Sequence, residues 1–131
     1  MRKQLIIAAS CFGLTATVLG AMGAHALKPL LQTEQLQTFE TAVRYQMYHA
    51  FALLFLAALE DKLNPKFVRW AFYTFLLGVF LFSGSLYLLS IHSLIGLENY
   101  KWLGPITPLG GLCFILGWGF MLQAALKSEH N

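Results

Sequence analysis

Four apolar blocks alternate with short polar clusters along the chain, at about residues 5–26, 43–59, 68–91 and 108–126. A hydrocarbon core about 30 Å thick needs about 20 helical residues, within a range of about 17–25. Each block therefore predicts a membrane-spanning helix. The second is the shortest, and Glu60, Asp61 and Lys62 end it abruptly. It is expected to extend back into a helix beginning near Thr33, with Thr33 as N-cap and Glu34 in the first turn. Before the second span, Leu36, Phe39, Val43 and Met47 form an apolar stripe, while Glu34, Gln35, Gln37 and Glu40 point elsewhere. That pattern predicts a short amphipathic juxtamembrane segment. Glu40 and Arg44 stand at i,i+4 in the favourable order, a pair worth about 0.2–0.5 kcal/mol when exposed.

Composition agrees with the pattern. The 131 residues are 57% hydrophobic and 11% charged, against about 25% charged in soluble domains. The expectation is a single membrane domain over residues 1–131, an all-α antiparallel four-helix bundle, with no room for a soluble catalytic module. The net charge is +3, but the basic residues sit singly or in pairs between apolar blocks. They read as topology signals and not as nucleic-acid contacts. Arg2, Lys3, Lys62, Lys66, Arg69 and Lys127 fall on one side of a four-span chain, and Lys28, Arg44 and Lys101 on the other. The richer side predicts cytoplasmic termini. Ala24-His25-Ala26 has the shape of a signal-cleavage site, but the apolar run before it exceeds the about 7–15 residues of a signal core. The first block is therefore expected to stay as a span.

Small residues suggest where helices meet, since close approach is the usual device in lipid. Ala9, Gly13, Ala16, Gly20, Gly23 and Ala24 mark the first span, and Gly110, Cys113, Gly117 and Ala124 the fourth. In Ser83-Gly84-Ser85 the hydroxyls are expected to bond back to the preceding helical turn around a close contact at Gly84. No G-x-S-x-G elbow is present. The stretch "GPITPLGG", residues 104–111, reads either as a loop ending with Pro108 in the first helical turn or as a broken helix lining a cavity. Cys11 and Cys113 are expected at depths differing by on the order of 10 Å, too far for a disulfide, hence as two free buried thiols. Trp102, Tyr100 and Tyr45 are expected in one interfacial belt, Trp70 and Tyr73 in the other.

The histidines are the polar feature to explain. With this topology His25, His49 and His92 all fall in the outer half, His49 roughly 6 Å below the interface at helical rise. Gln46 and Tyr45 lie beside His49, and Arg44 is near. Histidines on separate helices, with no HExxH-type spacing, predict no metal site and no haem. The set His25, Gln46 and His49, with Arg44 and Tyr45, is read as polar interhelical contacts. The alternative is an outer-leaflet site for quinone, lipid headgroup or haem. The predicted spans carry no Asp, Glu or Lys, which weakens transport or proton conduction.

Four stretches carry a resemblance: "LGAMGAHALK", "YQMYHAFALL", "LFSGSLYLLS" and "ITPLGGLCFILGW". Together, in this order and spacing, they resemble a small four-span bacterial membrane protein family catalogued as domain of unknown function 423. It includes the UPF inner-membrane proteins and a eukaryotic transmembrane relative. The resemblance implies a multi-pass protein of the bacterial inner membrane with no established enzymatic activity. Its pattern falls here on Gly20, Gly23, His25, Tyr45, Gln46, His49, Ser83, Gly84, Ser85, Tyr87, Pro108, Gly110 and Gly111, and not clearly on His92. The expected function is that of a non-enzymatic accessory or scaffold protein, packing against lipid, a larger membrane complex or copies of itself. The runner-up is a redox-associated protein using His25, Gln46 and His49.

Overall fold

The computed structural model describes residues 1–128. Helix α1 (Arg2–Met22) runs into a π turn at Gly23–Leu27, and α2 (Thr33–Leu59) into a 3-10 turn at Glu60–Lys62. Helix α3 (Pro65–Gly78), a π turn at Val79–Ser83 and α4 (Gly84–Ile91) form one rod. A 3-10 turn at Lys101–Leu103 precedes α5 (Ile106–Leu126). Four rods among the described residues, of 26, 30, 27 and 26 residues, are long and apolar enough to cross a membrane. At 1.5 Å per residue each is about 40 Å long, more than the hydrocarbon thickness. All four predicted spans are present.

Neighbouring rods run antiparallel. Gly23 lies against Phe39, Gly20 against Val43, and Arg2 donates to the Ala57 carbonyl, so numbering falls along α1 as it rises along α2. Gly110 lies against Phe82, Gly117 against Phe75 and Asn64 N–H bonds the Ala124 carbonyl, which pairs α5 with the third rod in the same sense. The core threads through Leu5, Leu53, Leu56, Val68 and Phe75, each fully buried. The ends near the termini are tied by polar groups. The Asn64 side chain accepts from Lys66 N–H, with Pro65 opening α3, and donates to the Lys127 carbonyl. Arg2 pairs with Asp61, and the terminal ammonium with Glu60.

Two expectations change, and a third resolves between its alternatives. Helix α2 does begin at Thr33, but its N-cap is Gln32, whose side chain accepts from the Gln35 N–H while its own N–H donates to Gln35 Oε1. That reciprocal box satisfies two orphan donors where a Thr33 cap would satisfy one. The amphipathic segment is the opening of the same helix, with Phe39 and Ala42 already buried. In the 104–111 stretch Gly104 and Pro105 precede α5, and Pro108, Gly110 and Gly111 lie within it without breaking it. The helix is continuous from Ile106, with Pro108 in its first turn, so the loop reading holds and no broken helix lines a cavity.

The π turn in the third rod decides how the layers assemble. One extra residue per turn rotates the next stretch of helix by about 100° relative to an uninterrupted α-helix. Before it α3 packs on α5; after it α4 packs on α2. One rod thereby serves two partners, while α1 packs chiefly on α2.

Candidate functional site

The most buried row of α2 reads Phe39, Ala42, Gln46, His49, Leu53, Leu56, at alternating steps of three and four. Two polar side chains sit in that apolar row, Gln46 at 4% and His49 at 3% exposure. An unpaired amide or imidazole there would cost several kcal/mol, roughly 2–7 depending on the reference medium. Both are paired. The Gln46 Nε2 group donates to the Phe12 carbonyl at 3.0 Å and to Thr15 Oγ1 at 2.6 Å, and Oε1 accepts from Tyr87 OH at 2.7 Å. One amide thus joins α1, α2 and α4. Tyr87 reaches it because helical side chains lean toward their own N-terminus.

His49 is held differently. Its ring stacks on Phe114 with centroids 3.6 Å apart and planes within 4°. Phe75 and Trp118 close the cluster at the junction of α2, α3 and α5. The Trp118 indole N–H can only donate, so at 3.2 Å it makes His49 Nε2 an acceptor. The proton then sits on Nδ1, which donates to the Tyr45 carbonyl at 2.7 Å. Two glycines receive the rings. Phe75 fills the space a side chain at Gly117 would need, and Phe114 does the same at Gly78.

The structure does not bring the predicted set together. His25 is exposed in the π turn ending α1 and makes no side-chain hydrogen bond among the described residues. The register fixed by Gly20 and Gly23 puts residues near position 13 level with His49, so His25 is displaced along the bundle by about 17 Å. His49 itself is sixteen residues past Thr33, about 24 Å along α2 and near mid-bundle, not close to a surface. Gln46 and His49 share a row but no partner. His92 stacks on Tyr100 at 3.9 Å near the other loop. A haem, quinone or metal site built on His25, Gln46 and His49 loses its geometry, and His49 has no free ring nitrogen to offer a ligand.

Each of the other candidate residues has its own place. Arg44 and Glu40 form an exposed pair at 3.9 Å. Tyr45 is partly exposed and packs on Phe82. Ser83 Oγ crosses to the Ala42 carbonyl at 2.8 Å instead of bonding back, because the π turn swings it toward α2. Ser85 does bond back to Phe82, and also meets Thr107 Oγ1 at 2.6 Å. Gly20, Gly23, Gly110 and Gly117 are close contacts as predicted, and Gly110 is the tightest, against the Phe82 backbone. Gly13 and Gly84 are not contacts, since a Cβ at either would meet nothing within 4 Å. Ala24 is exposed as well. The thiols are free but not buried: Cys11 faces outward and Cys113 is intermediate. Sequence reasoning missed Gly78, Tyr87 as the Gln46 partner, and Trp118. The alternating spacing through Gln46 and His49 was the available signal.

A family model described as "Protein of unknown function (DUF423)" matches residues 19–111. The chain belongs to this family. It is 42% identical to the UPF0382 membrane protein YwdK of Bacillus subtilis, over 95% of this chain and 98% of the relative. It is 34% identical to a UPF0382 membrane protein of Haemophilus influenzae, over 98% of each. The UPF0382 inner membrane protein YgdD of Escherichia coli is 32% identical, over 98% of this chain and 94% of the relative. No solved structure matches the chain significantly. The DUF423 match contains Gln46, His49, Ser83, Ser85 and Tyr87, while Phe12, Phe114 and Trp118 stand outside its bounds. This family member is a multi-pass membrane protein, and the family carries no assigned activity.

Proposed function

We propose that the protein is a non-enzymatic accessory or scaffold of the bacterial inner membrane, acting through its lipid-facing flanks. The observation that carries this reading is the closure of the interior polar groups on one another. Among the described residues no buried side-chain nitrogen or oxygen lacks a partner. Gln46, His49, Ser83 and Ser85 commit their hydrogen bonds to helix contacts, and among the described residues no serine is paired with a histidine. Meanwhile α1 and α5 turn rows of large apolar side chains outward, including Ile7, Leu14, Val18, Ile115 and Leu122. Such rows suit acyl chains or the helices of a larger membrane complex. Purification in mild detergent tests this: a defined complex that recovers the protein, and that changes on its deletion, is the expected result. Recovery alone, with every complex unaltered by deletion, would sink the reading.

The excess of Lys and Arg on the side of the termini supports a cytoplasmic location for both ends. A cysteine replacing Ser128, with Cys11 and Cys113 replaced by serine, should resist an impermeant thiol reagent in intact cells. Ready labelling would invert the orientation.

A further inference from the structure

At the loop end of α1 and α2, opposite the termini, a groove of about 190 Å³ is lined by Gly20, Gly23, Phe39, Glu40, Val43 and Arg44. Its floor is apolar: Val43 and Phe39 fill the space that Gly20 and Gly23 leave, and the groove runs over that contact. Its rim carries opposite charges, Arg44 and Glu40, each half or more exposed, with nitrogen and oxygen 3.9 Å apart. That separation is an ion pair without a short hydrogen bond, so the guanidinium keeps donors free and the carboxylate keeps acceptors free.

Depth places this pair under the headgroups. Twenty residues counted from Leu5 bring the hydrocarbon boundary to Ala24 on α1. Gly20 is four residues short of it, about 6 Å at helical rise, and Gly20 is level with Val43. Arg44 and Glu40 are thus within side-chain reach of the boundary, facing lipid, where long charged side chains extend toward the headgroup layer.

We infer that this groove binds a zwitterionic aminophospholipid, its phosphate on Arg44, its ammonium on Glu40 and an acyl chain along Gly20, Gly23, Phe39 and Val43. Arginine offers planar paired donors to phosphate oxygens. The carboxylate beside it selects the rest of the headgroup. A glycerol headgroup, anionic and without an ammonium, brings no cation for Glu40 and meets repulsion from it. A choline headgroup has no N–H to donate, and its methyl groups hold the charge away from the carboxylate. The phosphate and ammonium of an ethanolamine headgroup match both members of the pair. This assignment stands whether or not the protein joins a larger complex.

Native mass spectrometry of the full chain, transferred from mixed micelles containing equal amounts of phosphatidylethanolamine, phosphatidylglycerol and phosphatidylcholine, tests it. Retained phosphatidylethanolamine is the expected adduct. Arg44→Gln and Glu40→Gln, both at exposed positions that leave the core intact, should each reduce it roughly tenfold. Arg69→Gln, on an exposed residue near the other end, should leave it unchanged. Equal retention of all three lipids overturns the proposal, as does loss in Arg44→Gln with none in Glu40→Gln, which would mean recognition of phosphate alone. A change of oligomeric state in place of lipid loss also overturns it, by putting a second copy of the chain in the groove.

Discussion

Gln46 and His49 are one turn apart on the same buried row of α2, and the bundle uses them in opposite ways. Gln46 is a hydrogen-bond hub whose three contacts reach α1 and α4. His49 is mainly a flat ring, stacked on Phe114 and boxed by Phe75 and Trp118, with one interhelical hydrogen bond. The difference arises from the surroundings of each position. Backbone approach between α1 and α2 puts a carbonyl and a hydroxyl within reach of the amide. At the junction of α2, α3 and α5, Gly78 and Gly117 leave room for the Phe114 and Phe75 rings, and aromatic rings surround the imidazole. Burial of a polar side chain therefore says that it must be satisfied, and the neighbours decide whether bonding or packing carries its weight.

The contrast can be broken experimentally. Truncating His49→Ala should have the largest effect, about 2–5 kcal/mol by the cost of emptying a packed site, read as a loss of thermal stability in detergent. Gln46→Leu should cost about 1–3 kcal/mol, because it strands the Tyr87 hydroxyl. Adding Tyr87→Phe to it should recover part of that loss; full additivity in the double-mutant cycle would show that the bond between them contributes nothing. His49→Phe should cost under about 1.5 kcal/mol, since it keeps the stack while losing the Trp118 bond and the local bond to the Tyr45 carbonyl. If it costs as much as alanine, the hydrogen bond and not the ring holds the junction, and the distinction from Gln46 disappears. Smallest of all, His25→Ala should change stability by about 0.5 kcal/mol or less, as an exposed side chain. Combined with His49→Ala it should add independently. Coupling between the two would restore the contact that the bundle's register denies.

The fourth span illustrates a local rule that survives in three dimensions. Pro108 is tolerated in a first helical turn, and Gly110 is where the Phe82 backbone passes, so its sequence carries both the helix start and the contact. The glycines at positions 13 and 84 are the counterexample. They have the same chemistry and helical spacing as Gly20 and Gly110, yet nothing approaches them. Gly78, which no local pattern marks, receives the Phe114 ring. Spacing along one helix defines a face, but only the rotation of the neighbouring helix decides whether that face is met. Ser83 makes the same point: a single extra residue in the Val79–Ser83 π turn converts a local bond into one across to Ala42.

Hydropathy and short-range spacing specify the number of rods, their limits to within a few residues, the membrane as their solvent, and the Glu40–Arg44 pair. All of these depend on runs of apolar residues or on neighbours within one turn, and so can be read from the chain alone. The packed bundle adds the depth of His49, its separation from His25, the change of partner between α3 and α4, and the pairing of Gln46 with Tyr87. Those depend on register and rotation between helices, which arise from many side chains packing at once and leave no period in the chain to read.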